Sequence, residues 1–427
     1  MKQQMISGKI IPLLLAMISL TQIAVAQNVL TLDQAKAMAT KQNNNLKMAD
    51  QNIDAARAAK DGASVAGKPK IDGTANGFYF GSPLNKVLPE YGASVGVGVT
   101  QPIYAGGKVK LGIETANKLV EIQESRKVLT TAEVLFNVER AYWQAVNAND
   151  KIRLVNKNIS LLKAILNDLN NLYVAGIIYK NDMLRAQVQL NDAELNLVKA
   201  TDGLALAKLN LAQLTGMGDS TDFVINDSIT GSFKLSERNV YDALNKRPEI
   251  TLLNKSIELQ ELQKKLLQAD SKPSVGIGLN AIAATGKQGI NPGSGSNFMG
   301  SYYGLVSVSV PIFDWSARKS KVKEQTYKIA AQQTQLTETQ QLISVEVQQA
   351  YLQLGQSAKR IDLAITSLQQ AEENLRLAND RFKAGTIVGR DLLEAQTIWE
   401  QANSNLIDAK VEYRINEAAL KKAKGEL

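Results

Sequence analysis

The chain has 427 residues, no Cys, no His and a formal net charge of +8 at pH 7. Without Cys there can be no disulfide framework, no thiolate nucleophile and no N-terminal lipoprotein anchor. Without His, the usual general base and the commonest metal ligand are missing. Lys and Arg are dispersed, with none of the aromatic-interleaved basic patches typical of nucleic-acid binding. We therefore expect no enzyme activity, no cofactor, no resident metal and no nucleic-acid partner. A periplasmic enzyme that uses scattered carboxylates is a minor alternative.

Residues 1–26 have the pattern of a secretory signal peptide. Lys2 and Lys9 form a positive region, residues 10–20 are mostly apolar, and Ala24-Val25-Ala26 fits the rule for cleavage after small residues. The mature chain would begin at Gln27. An uncleaved membrane anchor is the alternative, but the apolar segment is short for a span of roughly 20 residues.

The mature chain repeats itself once. Five short motifs recur at a constant offset of 209 residues. Among them, Gln101-Pro102-Ile103 recurs as Val310-Pro311-Ile312, and Asp182-Met183-Leu184 recurs as Asp391-Leu392-Leu393. Such agreement at one spacing predicts an internal duplication. We assign the two copies to residues 27–235 and 236–427.

Each copy predicts a helix, two strands, a very long helix and a final helix, in that order. The predicted helices cover about 32–66, 106–173 and 182–215 in the first copy, and about 236–271, 315–382 and 391–424 in the second. The long segments lack Pro and carry apolar residues at three- and four-residue spacing. At 1.5 Å per residue each would be about 100 Å long. Rods of this length with an apolar stripe are expected to pack as coiled coils.

The predicted strands alternate apolar with small or polar residues, as at Val95, Val97 and Val99 or at Val306 and Val308. This alternation is typical of a membrane β-barrel strand, apolar outside and polar inside. A soluble hairpin packed on a helix would show the same alternation. Four strands cannot close a barrel, so a membrane sheet would require two or three copies of the chain.

The order of these elements resembles the TolC family of outer-membrane efflux proteins. The resemblance rests on the leader, the duplicated helix–hairpin–helix–helix order, the Gln-Pro-Ile-Tyr-Ala-Gly-Gly segment at 101–107, and the Ala-Gly-x5-Asp-x-Leu turn of each copy. It implies a mainly α protein with membrane β-structure. Long antiparallel coiled-coil helices would form an α-barrel, and four strands per protomer would enter a trimeric, 12-stranded outer-membrane β-barrel.

The resemblance also implies a function and partners. The chain would be a passive outer-membrane duct that reaches into the periplasm, in a tripartite efflux pump or a type I secretion system. Its partners would be two further copies, a periplasmic adaptor protein, an inner-membrane transporter and outer-membrane lipid. A coiled-coil scaffold without a channel is the alternative. Four prolines would mark the strand–helix crossings: Pro69, Pro102, Pro273 and Pro311.

In this family the periplasmic turns between helices form a closed entrance, ringed by acidic residues. Asp391 and Glu394 match those positions, and three copies of each would attract cations. The competing interpretation makes Asp391 a helix N-cap and Glu394 its capping-box partner.

Two departures concern the latch of the closed entrance. Asn181 and Asp182 occupy the acceptor positions of the family's latch, but Phe382 replaces its Tyr and Ile387 replaces its Arg. The latch therefore cannot be carried over intact. Arg185, which matches Glu394 in the other copy, could pair with an acid instead. We expect a closed state that is held in a different way.

Overall fold

A computed structural model describes residues 29–225, 241–287 and 295–427. The predicted signal peptide and the boundary between the two copies lie outside these ranges. The helices are α1 (Leu32–Gln42), α2 (Asn44–Ser64), α3 (Lys108–Val174), α4 (Lys180–Thr215), α5 (Tyr241–Lys246), α6 (Pro248–Ala269), α7 (Ala317–Lys383) and α8 (Gly389–Ala423). The strands are β1 (Lys70–Tyr79), β2 (Tyr91–Tyr104), β3 (Ser274–Gly286) and β4 (Phe298–Ser309).

The long helices are present where the sequence predicts them, but the first helix of each copy is broken. The break between α1 and α2 is at Asn43, which has extended backbone angles and whose side-chain amide donates to Leu214 O at 2.7 Å. The break between α5 and α6 is at Arg247, which is also extended. Pro248 follows it, and a proline disfavours helical geometry at the preceding residue. The single helices predicted over 32–66 and 236–271 are therefore each two helices in the described part.

The four strands form one antiparallel sheet in the order β1-β2-β3-β4. Residues that face each other across an antiparallel ladder point to the same side of the sheet. Val97, for example, faces Gly73 on β1 and Ala281 on β3, and Ala281 faces Tyr302 on β4. The pairing register therefore assigns every strand residue to one of two faces.

The two faces differ in chemistry. One is mainly apolar, with Tyr79, Tyr91 and Phe298 near the hairpin ends and Gln101 and Thr285 as polar members; its other large members are Ile71, Val95, Val97, Val99, Leu279, Ile277, Tyr302, Val306 and Val308. The opposite face is mainly small and polar, with Lys70, Asp72, Thr74, Asn76, Asn280 and Ser307, and with Phe78, Ile282, Met299 and Leu305 as its larger apolar members.

The apolar face is exposed in the protomer. Val97 is 56% exposed, Leu279 60% and Val306 65%, so no described helix covers them. A soluble hairpin packed on a helix would bury these residues, and that alternative is not what the structure shows. A contiguous exposed apolar surface requires lipid or protein as its cover.

The four prolines lie near the strand ends that adjoin the helices. Pro69 and Pro273 each directly precede a strand, and Pro311 follows β4 by two residues. Pro102 lies within β2, at an irregularity of the ladder between Pro102 and Tyr104. Their role as strand–helix crossings stays a prediction.

Within the described residues, no helix carries an apolar stretch long enough to cross a bilayer.

The described chain divides into two compact units. Residues 29–43, 134–225 and 353–418 form one, here called the tip unit, because it contains both turns between a long helix and its successor. The remainder forms the sheet unit, with all four strands and the helix ends that adjoin them. In the tip unit, Val224 forms an isolated parallel bridge with Val29.

Candidate functional site

The two turns of the tip unit have the same backbone geometry. Gly176 ends α3 at φ 73°, and its N–H donates to Tyr173 O at 2.9 Å; Gly385 ends α7 at φ 71° and donates to Phe382 O at 3.0 Å. In both turns the next N–H donates five residues back, from Ile177 to Leu172 O and from Thr386 to Arg381 O. This is the Schellman motif, which requires the left-handed conformation that glycine adopts without penalty.

The helices that follow the turns begin before the acidic residues. α4 begins at Lys180 and α8 at Gly389, so Asp182 and Asp391 are both the third residue of a helix. The interpretation of Asp391 as an N-cap is therefore wrong, because the helix starts two residues earlier. An acidic side chain in the first turn still stabilises the helix by complementing its dipole.

Phe382 and Ile387, the two departures from the family's latch, are part of a hydrophobic core. Phe382 is 7% exposed and belongs to a cluster that draws on α3, α4, α7 and α8; its neighbours in the cluster include Leu169, Ala186, Leu392 and Leu393. Ile387 packs against the same cluster. The second turn thus packs in an apolar core at the two positions where the family's latch has a Tyr and an Arg.

Gly389 marks a close approach of the two turns. A Cβ built on Gly389 would lie 2.7 Å from Leu169 Cδ2 and 3.6 Å from Asp182 Cβ. Leu169 is fully buried. Because no side chain fits at position 389 without a shift, glycine lets the start of α8 pack directly on α3 and beside the start of α4.

Polar residues of both turns meet in one open groove between α4 and α8. Its volume is about 620 Å³. Asn181 and Arg185 line it from α4, and Arg390 and Glu394 line it from α8, over an apolar floor that includes Leu184 and Leu393. The structure therefore brings together Asn181, Arg185 and Glu394 of the predicted entrance residues. Asp391 adjoins the groove, whereas Phe382 and Ile387 lie in the core.

Comparison with known proteins identifies the family of the chain. The family model for outer membrane efflux proteins matches residues 37–217 and 239–426. The chain belongs to the outer membrane efflux protein family. It is 23% identical to outer membrane protein TolC of Escherichia coli over 351 residues, covering 78% of this chain and 69% of TolC. It is 23% identical to the cobalt-zinc-cadmium resistance protein CzcC of Cupriavidus metallidurans, covering 87% of this chain and 84% of CzcC.

The solved structures share the fold. The open state of the Neisseria gonorrhoeae MtrE outer membrane channel superimposes with a TM-score of 0.76 and 21% identity, over 92% of this chain and 88% of that one. The predicted family, the predominantly helical fold with four membrane-type strands, the outer-membrane localisation and the efflux-channel role are confirmed. The family is one of channel proteins.

The charges of this efflux protein's groove nearly balance. Arg390 lies 3.3 Å from Asp391, in a pair that is largely exposed. Exposed pairs of this kind contribute little to stability, but Arg390 still offsets the charge of Asp391. In the described part of the chain, neither Arg185 nor Glu394 has an ion-pair partner. The pairing expected for Arg185 is thus not made within the protomer.

Arg390 is a residue that sequence reasoning missed. It follows Gly389 at the second position of α8, where a positive side chain is disfavoured by the helix dipole. An arginine at such a position, next to a candidate acidic ring, was the available signal.

A buried polar group lies deeper in the tip unit of the channel. Asn158 Nδ2 donates to Glu400 Oε2 at 2.7 Å, and Gln396 Nε2 donates to Asn158 Oδ1. Asn158 and Gln396 are each 1% exposed. Burial raises the pKa of the Glu400 carboxyl, and the hydrogen bonds from Asn158 and Gln396 oppose part of that shift. This group ties α8 to α3 through buried hydrogen bonds.

Proposed function

We propose that this protein is a passive homotrimeric exit duct, docked through a periplasmic adaptor protein to an inner-membrane transporter. Its family membership supports the outer-membrane channel role. The proposal of a trimer rests on the sheet. One of its faces is apolar and exposed, and the outer edges of β1 and β4 have no described partner strand.

Free edges are not viable in lipid, because every backbone N–H and C=O must find a partner there. Three copies would pair β1 of one protomer with β4 of the next and close twelve strands, apolar face outward. The long helices would then line a tunnel on the side of the sheet where the strands join them. A scaffold without a channel offers no role for such a sheet.

The groove between α4 and α8 is proposed to face the narrowest part of the entrance. Glu394 is exposed and has no ion-pair partner among the described residues, whereas Asp391, beside the groove, is offset by Arg390. Arg185 lines the same groove and would oppose part of the charge of Glu394. Three copies of Glu394 around one axis would favour cations in the constriction. Asp391 would contribute less. Phe382 and Ile387 would hold the closed turns by packing, in place of the family's polar latch.

The test is single-channel conductance of the purified protein in a planar bilayer, comparing the wild type with Glu394→Ala, Asp391→Ala and Arg390→Ala. We expect cation-selective steps in the wild type. Selectivity should fall clearly in Glu394→Ala and slightly in Asp391→Ala, because a ring of negative charge is removed. Arg390→Ala should raise cation selectivity, since it removes the opposing charge.

Opposite shifts in Glu394→Ala and Arg390→Ala would exclude a general loss of structure as the cause. If none of the three variants changes the selectivity of an open channel, the groove does not face the constriction. If the folded, membrane-inserted protein stays silent even when Gly389→Ala loosens the turns, the duct itself is contradicted.

A further inference from the structure

The duplication places two equivalent grooves in the sheet unit, each where a strand passes into a long helix. The first, about 620 Å³, contains Ile103, Tyr104 and Lys110; the second, about 510 Å³, contains Ile312, Phe313 and Lys319 at the matching positions. Each groove thus combines an aliphatic side chain, an aromatic ring and a lysine.

Both grooves continue the apolar face of the sheet. Beyond the ladder irregularity at Pro102, Tyr104 pairs with Val275 on the apolar face, and Ile312 follows Val306 and Val308 at alternate positions just past the end of β4. Ile312 is 92% exposed. If the apolar face meets acyl chains, the strand–helix end meets lipid headgroups, where aromatic rings and lysines are favoured together.

The second groove carries more positive charge than the first. Lys110 has a nearby acid, Glu114, at 4.0 Å. In the second groove, Asp314 forms its ion pair with Arg318, whose backbone N–H also donates to it at 2.9 Å. Lys319 has no ion-pair partner among the described residues. It also lies in the first turn of α7, where the helix dipole disfavours a cation.

The second groove is bordered by a strained aromatic residue. The first copy has Gly106 and Gly107 in the left-handed conformation, at φ 63° and 88°; the second copy adopts the same angles with Trp315 and Ser316, at φ 51° and 66°. A side chain in this conformation is strained. Trp315 is nevertheless 88% exposed, and its ring packs edge-on against Phe313 with 4.9 Å between centroids. The ring of Trp315 is thus held beside the groove by Phe313 and is open to a ligand from outside the protomer.

We propose that the second groove binds an anionic phospholipid of the leaflet that faces the strand–helix end of the sheet. Lys319 holds the headgroup phosphate, Trp315 and Phe313 lie at the level of the glycerol backbone, and Ile312 contacts the first part of an acyl chain. The first groove accepts lipid without a preference for charge. This inference rests on the proposed membrane insertion of the sheet.

The test uses Trp315 as its own reporter, because Trp399 is buried and Trp143 is partly buried. The full-length protein is reconstituted into phosphatidylethanolamine vesicles that carry a minor fraction of either phosphatidylglycerol or phosphatidylcholine, brominated near the headgroup end of the acyl chain. Trp315→Phe identifies the signal. We expect Trp315 emission to be quenched, with about fivefold enrichment of the anionic lipid, the preference of one lysine beside an anionic surface.

Lys319→Ala should abolish this preference and retain quenching, whereas the matched control Lys110→Ala should keep both. Excess inorganic phosphate should leave quenching unchanged, because the site takes a lipid and not a free anion. Unquenched Trp315 in protein that floats with the vesicles would overturn the inference. Equal quenching by both lipids would overturn it as well, and so would an equal loss of the preference for anionic lipid in both lysine variants. Protein that does not float would contradict the proposed function itself.

Discussion

At the scale of single residues, Glu400 is a carboxyl group placed where ionisation is unfavourable. Its partners are the amides of Asn158 and Gln396, which are neutral, and burial raises its pKa. A group with a raised pKa holds its proton more tightly in the folded state than in the unfolded chain. Its contribution to stability is therefore fully present below the unfolded pKa and is lost as the pH rises through the folded value.

Glu400→Gln should stabilise the tip unit at neutral pH, because glutamine resembles the protonated acid. We expect a melting temperature about 2 °C higher than wild type near neutral pH, as for a free-energy difference of about 1 kcal/mol. The difference should vanish as the pH falls toward about 4, the usual pKa of an unfolded glutamate. Circular dichroism melts at several pH values measure this. Glu372→Gln, at an exposed carboxylate of the same unit, is the control. A pH-independent difference would show that Glu400 does not titrate differently in the folded state.

At the scale of helices and turns, one glycine decides how closely the tips pack. The position that matches Gly389 in the predicted first copy is Lys180, so the predicted duplication does not itself require glycine there. The close approach to Leu169 does, since a Cβ at position 389 would overlap its side chain. The asymmetry between the two copies is thus a packing requirement of the second turn.

Gly389→Ala should loosen both turns, because Leu169 is fully buried and can yield only by disturbing the core around it. We expect a destabilisation of about 1–3 kcal/mol, the usual cost of overpacking. Tryptic cleavage at Lys383 and Arg390 should become several-fold faster under native conditions. Gly203→Ala is the control, because a Cβ there meets nothing within 4 Å and removes a helix-destabilising glycine. Equal cleavage rates in the wild type and Gly389→Ala would show that the close approach is not important.

At the scale of the whole molecule, the two edge strands determine what the protomer can be. In the described structure β1 pairs only with β2 and β4 pairs only with β3. One face of the sheet that these four strands form is apolar. An unpaired edge beside an exposed apolar face is a site of association or aggregation unless a neighbour covers it. Closure with further copies satisfies both requirements at once.

The absence of native Cys makes this closure directly testable. Cysteine pairs with one member on β1, such as Thr74 or Asn76, and one on β4, such as Ser301 or Tyr303, should form disulfides between neighbouring protomers at one register. Oxidised protein should then run as monomer, dimer and trimer on denaturing gels, with nothing larger. Single-cysteine variants should stay monomeric on the gel. A ladder beyond the trimer, or no cross-link at any register tested, would contradict a closed ring of three.

The sequence by itself determined the elements and their order. Helical periodicity, the Pro-free rods, the alternation of the strands and the Gly turns are local properties, and they predicted the long helices within about two residues of the observed ends. The family could also be predicted, because motif order and spacing are visible in the sequence. The breaks at Asn43 and Arg247 were missed, although Pro248 was a signal for the second.

Only the tertiary structure decided which residues meet. Phe382 and Ile387 pack in a core, whereas Arg390, only eight residues after Phe382, lies in an open groove with Arg185 of another helix. That Lys319 has no ion-pair partner in the described part of the chain also depends on the structure, because Asp314 pairs with Arg318. The physical reason is that backbone preferences act over a few residues, whereas burial and charge pairing depend on side chains that distant segments bring into contact.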